Sequence, residues 1–113
     1  MKIICVPKNK EALDRLNYDR IVEGDLFEIS LDRSIFLELD RIGFFQIINI
    51  LGDSNIDDFE DDSVFGEADL KNVLHSDIFR RQKYNLEIFK VVKKIEELFI
   101  KALECKTGVF FYF

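Results

Sequence analysis

The stretch NLEIFKVVKKIEELFIKALECKTGVFFYF, Asn85 to Phe113, decides the fold. Ile88, Val91, Val92, Ile95, Leu98, Phe99 and Ala102 recur at three- and four-residue steps, so a helix gathers them into one apolar stripe. Lys90, Lys93, Lys94, Glu97 and Lys101 fall on the wet side, with Glu97 and Lys101 four apart in the order that favours pairing. Asn85 suits the N-cap. Gly108 ends the helical pattern, and the apolar run VFFYF reads as a strand. Left as a bare edge such a run would be sticky, so it is expected to pair or pack.

Its natural counterpart is KIICV, residues 2–6, a compact β-branched run stopped by Pro7. Short strands near the two ends and helices between them predict an α+β fold: a helix-rich single domain over residues 1–113, its small sheet covered by the long helix. Within that frame NKEALDRLN makes a helix capped by Asn9, with Ala12, Leu13 and Leu16 on one face. DLFEIS, residues 25–30, alternates and suits a short strand, while Ser30 is equally placed to cap the next helix with Asp32 in its first turn. From Leu31 a helix is expected, with Leu31, Ile35, Leu39 and Ile42 sharing a face, although Ile35, Leu37 and Leu39 also alternate as a strand would. Gly43 breaks it, and FFQIINIL continues as a second helix ended by Gly52. Glu67 to His75 reads as a short helix and SDIFRRQKYN as a connector.

Apolar residues make up 48% of the chain and charged ones 34%, a globular balance, and the 12 Phe supply large apolar areas for a small core. Cys5 and Cys105 have neither CxxC nor Cys/His spacing, so they are expected as reduced, buried thiols rather than zinc ligands or a bridge. The opening apolar run is too short for a signal peptide, and no stretch is long enough to span a membrane, so a cytoplasmic setting is expected.

The charge is unevenly spread. Of the formal −6, the segment Asp53 to Asp69, DSNIDDFEDDSVFGEAD, carries eight acids and no base. Such a field steers cationic partners and repels phosphates, which argues against direct nucleic-acid binding. A solvated loop is the plain reading. Against it, Ile56, Phe59, Val64 and Phe65 are threaded among the charges, either to anchor the loop or to sit in an interface. The basic run Arg80, Arg81, Lys83 is a candidate internal counter-charge.

Chemistry finds little footing. Asp53, Asn55 and Asp57 match the first positions of a calcium loop, but Asp58 stands where its Gly should be and Val64 where its closing Glu should be. His75 is the single histidine, and no phosphate loop or nucleophile elbow is present. No enzyme activity, cofactor or metal is expected. A carboxylate-dependent metal enzyme is the weakest of the readings, and an acidic adaptor or nucleic-acid mimic that docks another basic protein is the nearer alternative.

The order FLELDRIGFFQIINILG, then NIDDFEDDSV, resembles the small acidic immunity proteins of bacterial toxin–immunity systems, those of the contact-dependent growth inhibition type above all. The likeness lies in size, charge and texture over residues 31–69. It implies a protein without catalysis that neutralises a cognate toxin domain, often a nuclease with a cationic cleft, through an acidic, aromatic-bearing surface. On that reading Asp57, Asp58, Glu60, Asp61 and Asp62 are the electrostatic contacts, Phe59 and Phe65 the anchors, and Glu67 and Asp69 extend the patch. Oligomeric state is not written in the chain.

Overall fold

A computed structural model describes residues 2–113. Among them lie four strands, β1 (Lys2–Pro7), β2 (Leu26–Leu31), β3 (Asp62–Phe65) and β4 (Gly108–Tyr112). Five α-helices join them: α1 (Lys10–Asn17), α2 (Arg33–Arg41), α3 (Phe44–Gly52), α4 (Glu67–Leu74) and α5 (Leu86–Cys105). The strands form one antiparallel sheet in the order β2-β1-β4-β3, an α+β architecture. The first and last strands lie side by side at its centre, Ile4 opposite Phe111. Pairing across nearly the whole chain length closes the fold.

Alternation along the strands gives the sheet two different faces. Ile4, Val6, Val64, Val109 and Phe111 point into the main core, where they meet α5 through Ile88, Val92, Ile95, Leu98, Phe99 and Ala102. The expected stripe is therefore the buried one, with Val91 half-buried at its margin. Asn85 caps α5 by accepting from the Ile88 N–H at 2.9 Å. On the wet side Lys101 does not pair with Glu97. Its ammonium lies over the Phe27 ring at 5.3 Å and 3.9 Å from Glu104, one helical step in the other direction.

α2 and α3 close the same core. Phe36 and Leu39 are the buried residues of α2, with Ile35 half-buried, while Leu31 belongs to β2 and Ile42 is exposed. The expected face thus keeps Ile35 and Leu39, gains Phe36, and loses Leu31 to β2 and Ile42 to solvent at the C-cap. Asp32, rather than Ser30, is its N-cap, accepting from the Ile35 N–H at 2.8 Å. Gly43 turns the chain between α2 and α3 at φ 83, a left-handed conformation glycine adopts freely. Gly52 is the last helical residue, and Asp53 takes the left-handed position after it. Gly52 answers a different need: a Cβ there would lie 2.8 Å from a Val64 methyl, so α3 reaches β3 only without a side chain. The segment read as a connector holds two short 3-10 turns, and Ile78 and Phe79 plug the core from it.

The opposite face of the sheet carries Ile3, Cys5, Leu26, Glu28, Phe65, Phe110 and Tyr112, and α1 covers only part of it. Both thiols are free; Cys5 is buried as expected, whereas Cys105 is only half-buried at the end of α5. No helix is long and apolar enough to cross a membrane among the described residues.

The α1–β2 loop is held by Asp25, which is buried and accepts two hydrogen bonds from the Arg15 guanidinium, at 2.8 and 2.7 Å, and one from the Val22 N–H at 3.0 Å. The Arg15 contact first, and the Val22 N–H second, depress its pKa to about 2. A depressed carboxylate stabilises the fold fully above its unfolded value of about 4 and loses that contribution as pH falls towards 2. The Asp25→Asn variant is accordingly expected to melt below the parent protein at pH 7, with the gap closing as the pH is lowered to 2. A gap that persisted unchanged at pH 2 would show that packing rather than ionisation accounts for it.

Candidate functional site

The acidic segment is built rather than loose. From α3, Asn49 accepts from the Ile56 N–H at 2.7 Å and donates to the Ile56 carbonyl at 2.9 Å, while Ile56 itself is buried. Beyond this anchor the chain makes a tight turn in which Asp57 and Glu60 form a β-bridge. Asp57 accepts from the Phe59 N–H at 2.8 Å, and Asn55 donates to Glu60 at 2.9 Å. Asp62 accepts from the Asn55 and Ser63 N–H groups at 2.6 and 2.7 Å as β3 begins. The strand was not expected from the sequence; Val64 alone faces the core, and one apolar residue leaves no readable alternation.

The carboxylates divide into two kinds. Asp58 is engaged internally, 2.5 Å from the Lys2 ammonium and 3.0 Å from the Arg33 guanidinium, and these two cations, Lys2 first, hold its pKa below the usual carboxylate range. Lys2 also donates to the Phe113 carbonyl at 3.0 Å and lies over the Phe36 ring at 4.5 Å, tying both sheet-centre strands to the turn. Asp61 accepts from the Phe113 N–H at 2.8 Å. By contrast Asp57, Glu60 and Asp61 are exposed and pair with no cation among the described residues. The counter-charge proposed for Arg80, Arg81 and Lys83 is not made: Lys83 lies 3.6 Å from Asp77, and Arg81 stacks on the Phe89 ring.

Phe59 stands at the tip of this turn with 90% of its surface exposed, the most exposed large apolar side chain in the described structure. Phe65 is 49% exposed but belongs elsewhere: it sits at the far end of β3, on the outer sheet face, edge-on to Phe110. Glu67 and Asp69 follow in the first turn of α4, where Glu67 pairs with Lys71 at 2.7 Å. Strand length places Phe65, where this second group begins, roughly 10 Å along β3 from Asp62. The residues singled out along the sequence therefore make a compact group, Asp57 to Asp62, and a separate one, Phe65 to Asp69.

Two contributions were invisible in the sequence. Lys2 and Arg33 lie 56 and 25 residues from Asp58, so only the closed sheet brings them to it. On the outer sheet face, Asp19 and Glu28 approach one cleft together with Tyr112. No protein-family model matches this chain, and no curated protein and no solved structure does either.

Proposed function

We propose that this protein is an immunity-type inhibitor: it binds a cognate bacterial toxin domain with a basic surface, such as a nuclease cleft, and neutralises it by occupying that surface. The observation that supports this reading is Phe59, presented on a turn pinned by its own hydrogen bonds, with Asp57, Glu60 and Asp61 around it free of cationic partners among the described residues while Asp58 is held by Lys2 and Arg33. A solubility loop has no use for a bare phenyl ring at its tip. An interface does, because an aromatic anchor enters a partner pocket while the surrounding charge steers the encounter. The rigid turn also lowers the ordering cost of binding. Asp58 and Asp62 belong to the turn's framework, leaving Asp57, Glu60 and Asp61 as its outward charges. Such an inhibitor works in the cytoplasm of the cell it protects and needs no catalysis.

The test is association kinetics with the toxin domain encoded beside it. The association rate is expected to fall by about tenfold or more from low to high salt, as for steered encounters. Binding indifferent to salt would remove the electrostatic mechanism, and the lack of any toxin domain encoded beside this gene would remove the inhibitor reading itself.

A further inference from the structure

The outer face of the sheet holds a second feature. Ile3, Leu16, Asp19, Ile21, Glu28 and Tyr112 line a cleft of about 380 Å³, open to solvent between the sheet and the α1–β2 loop. Its walls are aliphatic and its rear is Cys5, 1% exposed, whose thiol makes no hydrogen bond among the described residues. Two carboxylates, Asp19 and Glu28, reach it from different elements, and neither forms an ion pair among the described residues. Asp19 is held there by a left-handed backbone, φ 58.

No cation lines this cleft. Its other ionisable groups stay neutral: burial first and then Glu28 push the Cys5 thiol up to about 12, and burial foremost, with Asp61 and Asp19 adding to it, does the same for Tyr112. An apolar trough, an aromatic side wall and two uncompensated negative charges match one ligand chemistry, an alkyl chain ending in a cation. The larger cleft between α4 and α5 lacks this logic, since its Glu67 and Lys71 already neutralise each other.

The geometry points to this cleft as the receptor for a single arginine or lysine side chain of a protein partner, its stem against Ile3, Leu16 and Ile21 and its charged head between Asp19 and Glu28. The position supports a protein source rather than a free amine. Tyr112 precedes Phe113, whose N–H is bound by Asp61, so the cleft adjoins the acidic turn along β4 and one basic surface can span both. In that respect the inference rests on the basic partner proposed above, and it extends that partner's footprint onto the sheet.

Three probes test it without any toxin: Nα-acetyl-arginine methylamide, its uncharged counterpart Nα-acetyl-norleucine methylamide, and butylamine, each titrated into the full chain and followed by amide NMR shifts. The arginine derivative is expected to shift Ile3, Ile21 and Tyr112 saturably and to bind about tenfold tighter than the norleucine derivative, the worth of one charge-assisted contact. The Asp19→Asn/Glu28→Gln variant is expected to lose that tenfold; asparagine tolerates the left-handed backbone at 19 and residue 28 is exposed. Equal binding of the norleucine derivative, shifts confined to residues 57–62, or entry of butylamine alone would each overturn the proposal. The comparison of probes on the unaltered protein stands even if the variant fails to fold. Failure here leaves the Phe59 turn untouched, because none of these probes replaces the toxin.

Discussion

Replacing Phe111 by alanine is expected to destabilise the protein by about 3–5 kcal/mol, the range for deleting a fully buried aromatic side chain. Phe111 has no exposed surface, and it sits on the central strand opposite both Ile4 and Asp62. Its ring contacts Phe99 of α5 at 6.5 Å and Phe113 at 5.7 Å, and Phe113 in turn packs edge-on against Phe36 and Phe45. The cavity would open where the sheet, α5 and the α2–α3 pair meet, a place that no single side-chain shift can fill. A loss of this size is a large share of the roughly 5–15 kcal/mol that holds a domain together. Urea unfolding measures it directly. A cost below about 1 kcal/mol would mean that the β1–β4 pair is not the centre of the core.

Both strands were legible, though not their pairing with each other, because each is a dense apolar run bounded by a strong break signal, Pro7 as the last residue of β1 and Gly108 at the start of β4. α5 was legible for a similar reason: twenty residues give its period time to show. The misread elements are short and locally ambiguous. Leu31 fits a helical face by spacing, yet β1 claims it through the Lys2–Leu31 pairing. β3 has four residues, two of them polar, and exists because β4 offers an edge and Gly52 lets α3 approach. Within the candidate site, the exposure of Phe59 is consistent with the mixture of charge and aromatic residues that drew attention to the segment. The division of labour among the carboxylates was not legible at all. Asp58 and Asp57 are chemically alike and adjacent, and only the arrival of Lys2 and Arg33 makes one a structural group and leaves the other facing solvent.

Replacing Phe59 by alanine should have the reverse profile. The ring is almost entirely in water, and the backbone N–H that donates to the Asp57 carboxylate is one that alanine retains. Stability should therefore change by no more than about 0.5 kcal/mol, as for an ordinary surface substitution. Binding should suffer heavily. A central aromatic anchor is worth about 2 kcal/mol or more at an interface, which corresponds to a loss of about thirtyfold or more in affinity. Reversing all the charges of the segment would be a poorer experiment, because Asp58 and Asp62 hold the turn and their loss would confuse binding with folding.

The most direct test is calorimetric titration of the proposed partner, a toxin domain encoded beside this gene, with the parent protein and with Phe59→Ala, alongside the melting temperatures of both. The account predicts equal melting and a one-to-one complex that the substitution weakens by about thirtyfold or more. Equal affinity for the two proteins would contradict it and return the acidic turn to the role of a solvated loop.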